Sequence, residues 1–257
     1  MHLIQAIAKC YSCFNLKKKG SQNIFFALVY LLFATPVIAQ AIPESFRQLA
    51  DSVIKTAPKS YTEIHRAMRK HRTDTIYMRF FSELSKQKGY LAGASYALGE
   101  LGRSYRYKSN YSKAIQLHQE ALEIANRANN LELKISSLNY LGVVYRRTSS
   151  VRTAMDFNQQ ALVLAEAVKD PSIGIKRSIN VSLNSIGNLY ITLKQYDLAI
   201  SYFERSLKLE AELDNILGLA VNHQNIGQCQ EEMEMLDLAL ENYITSLSYN
   251  EKLDNDM

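Results

Sequence analysis

Four glycines recur along this chain, each preceded by a large apolar residue: Gly102, Gly142, Gly187 and Gly227. Twelve residues after each stands an alanine: Ala114, Ala154, Ala199 and Ala239. Seven further on comes a second small residue: Ala121, Ala161, Ser206 and Ser246. A fixed period in small residues marks a repeat array, in which each unit buries its apolar face only against its neighbours. Each glycine also lies inside an apolar period of three to four residues, as with Leu138, Leu141 and Tyr145, so it belongs to a helix and not to a turn. Glycine inside a helix costs about 1 kcal/mol against alanine. A chain that carries this cost four times must gain close helix packing in return. The spacing therefore predicts paired helices, A and B, that cross closely where bulk is absent.

The residues around the glycines resemble the first helix of the tetratricopeptide repeat (TPR) family. They read Leu98-x-x-Leu101-Gly102-x-x-Tyr105, Leu138-x-x-Leu141-Gly142-x-x-Tyr145 and Leu183-x-x-Ile186-Gly187-x-x-Tyr190. The fourth copy, His223-x-x-Ile226-Gly227-x-x-Gln230, departs at its last position. The second helix of each unit opens with Tyr111, Val151, Tyr196 or Leu236, three residues before the alanine. The match covers roughly residues 95–253. It implies an all-α fold, a right-handed α-solenoid of antiparallel helix pairs. The repeats fall at about 95–128, 135–168, 180–213 and 220–253. The repeat core is then Gly102, Tyr105 and Ala114; Gly142, Tyr145 and Ala154; Gly187, Tyr190 and Ala199; Gly227 and Ala239. The resemblance also implies a scaffold that holds a peptide or protein ligand, with no cofactor and no metal.

The glycines lie 40, 45 and 40 residues apart, against about 34 in the common TPR. The extra residues lengthen each helix by roughly one turn. The 45-residue interval contains Lys169-Asp170-Pro171-Ser172-Ile173-Gly174, which reads as a longer turn between repeats 2 and 3. Asn129-Asn130 and Asp214-Asn215 place helix-capping residues just before the next apolar run.

Residues 1–39 read differently. Lys17, Lys18 and Lys19 precede an apolar run from Ile24 to Ala39 that ends in Val37-Ile38-Ala39-Gln40. This is the order of a secretory signal peptide. The run is short for a membrane span of about 20 residues. An uncleaved signal anchor is the alternative, and both place the repeats outside the cytoplasm, in a bacterial periplasm or anchored at the inner membrane. The formal charge of +5 follows from this leader. Without Lys9 and Lys17–Lys19 the chain keeps 26 basic and 25 acidic side chains. That balance gives no support for nucleic-acid binding. Cys10-x-x-Cys13 lies in the leader, which leaves Cys229 alone. The exported domain then relies on packing, for which about 218 residues suffice.

Residues 40–94 are expected to form an N-terminal helical cap. Three helices are read there, from Glu44 to Ile54, Tyr61 to His71 and Thr75 to Lys88.

No catalytic constellation is present in the sequence. It contains no Gly-rich phosphate loop, no Gly-x-Ser-x-Gly and no His-Glu-x-x-His. His65 and His71 lie among Arg66, Arg69, Lys70 and Arg72, which disfavours a metal and points to a solvated face. His118 and His223 fall at positions that pack between helices. The chain is accordingly read as no enzyme.

In TPR folds the inner side of helix A lines a concave groove. Three residues before each glycine stand Gly99, Asn139, Asn184 and Gln224; one residue after stand Arg103, Val143, Asn188 and Gln228. Repeats 2 to 4 thus carry an amide ladder of Asn139, Asn184, Asn188, Gln224 and Gln228. Amides both donate and accept, so they can pair with the backbone of an extended peptide. Arg103, Arg106, Arg146 and Arg147 lie toward repeats 1 and 2, whereas Glu231 and Glu232 lie in repeat 4. Such a groove orients a ligand with its acidic end toward repeat 1. The lysine that some TPR domains use to clamp a terminal carboxylate is absent, since Asn139 and Asn184 stand in its place.

Asp254-Asn255 matches the connector Asp214-Asn215. Leu240, Ile244 and Leu247 form an apolar stripe on the last helix, which calls for self-association or a further segment to cover it. The layout of leader and long repeats resembles the extracytoplasmic part of bacterial TPR-containing sensor proteins, whose output is a histidine kinase or a helix-turn-helix domain. The alternative function is therefore the sensory input portion of such a receptor.

Overall fold

The computed structural model describes residues 42–255. The leader with Cys10 and Cys13 lies outside the described residues. The chain divides into two units, residues 1–47 and 48–257. In the first, the backbone N–H of Phe46 donates to the Pro43 carbonyl at 3.0 Å, which opens helix α1 (Glu44–Thr56). The rest concerns the second unit.

Among the described residues there are helices and no strand. The helices α2 (Tyr61–Met68) and α3 (Thr75–Gln87) precede the array. The four pairs follow as α4 (Leu91–Tyr107) with α5 (Tyr111–Arg127), and α6 (Leu131–Arg147) with α7 (Val151–Glu166). Then come α8 (Ile173–Thr192) with α9 (Tyr196–Glu212), and α10 (Ile216–Glu232) with α11 (Leu236–Asn255). From α3 onward each helix packs on the next in sequence, giving an all-α solenoid of antiparallel pairs.

The glycines do something more specific than the sequence suggested. A methyl group on Gly142 would stand 2.3 Å from Asn158 Oδ1, and one on Gly187 would stand 2.6 Å from the Phe203 ring. On Gly102 it would meet His118 at 2.3 Å, and on Gly227 it would meet Tyr243 at 2.8 Å. Each partner lies sixteen residues after its glycine. The glycine thus hollows helix A so that helix B can insert a large side chain. The expectation of a contact free of bulk is corrected: only one side of it lacks bulk.

The small residues of helix B are buried as expected, with Ala114, Ala121, Ala154, Ala161, Ala199 and Ser206 wholly inaccessible. Ser95 Oγ donates to the Ala121 carbonyl at 2.8 Å, and Ser246 Oγ donates to the Ala220 carbonyl at the same distance. The core tyrosines extend this packing. Tyr145 stacks on Phe157 and Tyr190 on Tyr202, with ring centroids 5.5 and 5.4 Å apart. Tyr105 accepts a hydrogen bond from Arg79 on α3 at 3.2 Å.

The connectors obey one rule. Seven of them contain three residues, and the middle one is left-handed: Gly89, Ser109, Asn129, Ser149, Lys194, Asp214 and Glu234, with φ between 47° and 74°. The third residue's N–H then bonds to the carbonyl five positions back, as in Asn110 to Tyr105 at 2.9 Å and Gln195 to Tyr190 at 2.9 Å. This satisfies carbonyls that a helix end leaves open. Asn130 caps the following helix by accepting from the Leu133 N–H at 3.1 Å. Asn215 does not cap; its amide donates instead to Glu210 at 2.8 Å.

The longer turn between repeats 2 and 3 spans residues 167–172, so Ile173 and Gly174 already belong to α8. At the far end α11 runs on as helix through Asn255, where a connector was expected. The helix over 61–71 is shorter than expected and ends at Met68.

Helices α4, α6, α8 and α10 touch one another in series, while the B helices of adjacent repeats make no comparable contact among the described residues. Closer spacing on the A side bends the array toward it, and this positions the groove.

Candidate functional site

The A-helix face holds a cavity of about 320 Å³. Its floor comes from three successive A helices, and one wall comes from outside the repeats. That wall is α2, which reaches α4 and α8.

Local sequence fixes α2 in place. Ser60 accepts from the Glu63 N–H at 3.2 Å, and the Glu63 carboxylate accepts from the Ser60 N–H at 3.4 Å, a complete capping box. Ile64 and Met68 are wholly buried. The strand of chain before it is tied down as well. Tyr90 donates to the Pro58 carbonyl at 2.6 Å and Asn130 to the Lys59 carbonyl at 2.7 Å. The helix is therefore a built wall of the groove and not a mobile cover.

Glu100 on α4 is the hub beneath this wall. It is 2% exposed and takes two hydrogen bonds from Arg103, at 2.9 and 3.1 Å. The Tyr61 hydroxyl donates to it at 3.0 Å, and Arg72 reaches it at 3.5 Å. The Tyr61 and Tyr140 hydroxyls stand 3.0 Å apart. Tyr61 stacks on His65, which meets the Tyr96 hydroxyl through Nδ1 at 3.2 Å. Burial raises the Tyr61 hydroxyl well above its ordinary range, so it stays a donor.

The sequence-predicted groove residues divide into three groups. Arg103, Arg106 and Asn139 line the cavity, together with Val143. Asn139 is nonetheless engaged at both ends: it donates to the Ser178 carbonyl at 2.9 Å and accepts from Ser182 at 2.7 Å. Asn184 donates to Ser206 on α9 at 2.7 Å and so ties two helices, whereas Asn188 donates to the Asn184 carbonyl within α8 at 2.7 Å. Gln224 and Gln228 are exposed, as is Arg147. Arg146 is half-buried, and its Nε has no hydrogen-bond partner. The ladder of free amides is thus corrected to its repeat-4 members: Asn139 and Asn184 bond between helices, and Asn188 bonds within its own.

The sequence reading missed Tyr61, Thr62 and His65, which the cap contributes, and Arg177 and Val181 on α8. Arg177 lies seven residues before Asn184, on the same helical face two turns earlier, so periodicity alone would have found it. The sequence predicts a helix from Tyr61, but nothing periodic sets it against the A helices.

His118 is wholly buried and lies outside the groove, above Gly102. Burial, with Arg106 and Arg103 nearby, pushes its imidazole down to about 3. His223 donates through Nδ1 to Asn242 Oδ1 at 2.8 Å, between α10 and α11. Burial pushes the Cys229 thiol up to about 11. Among the described residues no three or more His, Cys, Asp or Glu side chains are placed to hold a metal ion. Among them, too, no helix is long and apolar enough to cross a membrane. Leu240, Ile244 and Leu247 on α11 are each more than half exposed.

Helix pairs stacked in series, with a groove across their first helices, define a repeat scaffold. The tetratricopeptide repeat family model matches residues 93–167 and 178–252, and the chain belongs to that family. No curated protein matches the sequence. Solved structures share the fold. BtubC from P. vanneervenii is 15% identical with a TM-score of 0.56, over 80% of this chain and 92% of that one. The apo form of RapI is 13% identical at 0.55, over 91% and 94%. PlcR of Bacillus thuringiensis, solved with the peptide PapR7 and DNA, is 13% identical at 0.57, over 82% and 71%. At these identities the likeness is one of fold.

Proposed function

We propose that this protein is an exported, non-catalytic scaffold that binds a peptide or protein segment in the groove formed by α4, α6, α8 and α10. The observation that carries this reading is the cavity on the A-helix face, with apolar walls and arginines at its edge. Pockets of this kind, mostly apolar with a few convergent polar groups, are the usual form of a ligand site. The PlcR likeness supports the same reading, since that solenoid was solved with a peptide.

A photo-crosslinking side chain at Val143 tests it against one at Gln119, on an exposed part of α5. Peptide adducts are expected from position 143 and not from 119. Equal yields from the two would overturn the groove as the working surface. Export rests on the acid-free first 43 residues and the lysine, apolar, small-residue order. Mass spectrometry should find a mature N-terminus near Gln40; full-length protein in the cytosol would count against it.

A second reading is the sensory input portion of a signalling receptor, with a histidine kinase or helix-turn-helix output. The PlcR solenoid, which was solved with both a peptide and DNA, favours it. The reading frame after Met257 decides: a membrane span or output domain encoded there supports the receptor, and a stop codon supports the free scaffold.

A further inference from the structure

The groove carries more positive charge than its own carboxylates answer. Around Glu100 there are two guanidinium groups, Arg72 and Arg103, for one carboxylate. Among the described residues, Arg106, Arg146, Arg147 and Arg177 form no ion pair. Arg106 lies over the Tyr107 ring, 4.4 Å from its centroid, which leaves its charge without a carboxylate. Glu210 is close enough to feel Arg177, but its carboxylate is engaged by Asn215 at 2.8 Å. Burial raises the carboxyl of Glu132, beside α2, above its ordinary value.

Three groups around the cavity register this excess. Burial lowers His65, and Arg72, Arg103 and Arg177 push it further down against Glu100. Burial lowers Arg146, and Arg147 and Arg106 add to the effect. His118 feels Arg106 and Arg103 in the same sense. Between the charges the cavity is apolar, with Val143 on α6 and Val181 on α8. Its volume of about 320 Å³ is too small for a folded partner and lies at the lower end of small-ligand sites.

We propose that this cavity takes an acidic peptide segment, with carboxylates on Arg106 and Arg177 and apolar side chains against Val143 and Val181. The inference rests on the groove reading above and narrows it to a ligand class. A carboxylate completes the charge balance that the fold leaves open. Arginine suits it, because its planar fork matches the two carboxylate oxygens. A basic segment is rejected by the same field. Asn139, Asn184 and Asn188 are engaged elsewhere, so selection in this cavity falls to charge and apolar contact.

A displayed library of random heptapeptides, panned on the full chain and on an R106Q/R177Q variant, tests the proposal. Circular dichroism and the melting temperature of the variant verify that it folds. Wild-type protein should enrich Asp or Glu beside Leu, Val or Phe, and the variant should bind those peptides at least tenfold more weakly. Adding salt should weaken the wild-type complex, while R152Q on α7 should leave it unchanged. Enrichment of peptides without acidic excess, still crosslinking at Val143, would overturn the acidic ligand and leave the groove standing. Acidic peptides that bind the variant as well as wild type would overturn the two arginines as their site. No enrichment at all would overturn both this proposal and the groove.

Discussion

Gly102 lies beneath the imidazole of His118, so close that a methyl group on it would stand 2.3 Å from Cε1. The same glycine and inserted side chain recur in each unit, but the inserted residue changes: His118, Asn158, Phe203, Tyr243. The slot is conserved within the chain while its filling is not. Cost should therefore follow the rigidity of the filling.

Gly187→Leu is the severe case. Phe203 is wholly buried and its ring cannot turn away. The substitution should cost about 3 kcal/mol, the upper end of what overpacking does. Gln119→Ala, on an exposed face, should stay under about 0.5 kcal/mol. Urea unfolding of the two variants compares them directly. Equal midpoints would mean that helices α8 and α9 do not meet at this glycine.

His118 makes the array acid-sensitive. Both its ring nitrogens are buried without a partner, and its imidazole is pushed down to about 3. In the unfolded chain it titrates near about 6.5. Between those values the unfolded state binds a proton that the folded state refuses, so stability falls as pH drops from about 6.5 toward 3. His118→Phe borrows the filling of repeat 3 and removes both orphaned nitrogens. Its melting temperature should decline less than that of the wild type between about pH 7 and about pH 4.5. Parallel declines would assign the acid sensitivity to another group.

Lys194 holds a left-handed backbone, at φ 58°, on an exposed connector. That conformation costs a side-chain-bearing residue about 1 kcal/mol. Lys194→Gly should therefore raise stability by up to about 1 kcal/mol. Asn129→Gly, at φ 47°, should gain less, because asparagine tolerates this region better. Gly89→Ala, at φ 74°, should lose what Lys194→Gly gains. Denaturant midpoints for the three variants test the order, and a loss in Lys194→Gly would show that its side chain outweighs the strain.

What repeats in this molecule was legible, and what occurs once was not. Gly102, Ala114 and their counterparts could be read because four copies fall in register, and each copy answers the same packing problem. The left-handed connectors escaped because most carry Ser, Lys, Asp or Glu where glycine would have signalled the conformation. Asn184 was placed on the correct helix face, but an amide that bonds Ser206 looks the same in sequence as one that awaits a ligand. The helix at Tyr61 was legible, but its place as a wall of the groove was not. Its Ile64 and Met68 are buried, and its Tyr61 meets Tyr96 and, 39 positions away, Glu100; such single long-range contacts leave no period to find.

The hub at Glu100 tests how that wall is held. Glu100→Gln leaves Arg103 and Arg72 facing a neutral amide in a site where the carboxylate was 2% exposed. Removing one partner of a buried charge pair costs about 3 kcal/mol. Tyr61→Phe removes only a hydroxyl shared between Glu100 and Tyr140 and should cost about 1 kcal/mol. Hydrogen exchange separates local from global effects. In Glu100→Gln the amides of α2 should exchange faster, while those of α9 and α11, far along the array, keep their protection. A solenoid transmits such damage only through neighbouring repeats. Unchanged protection in α2 would mean that Ile64 and Met68 alone hold the wall, and that the hub serves to orient Arg103.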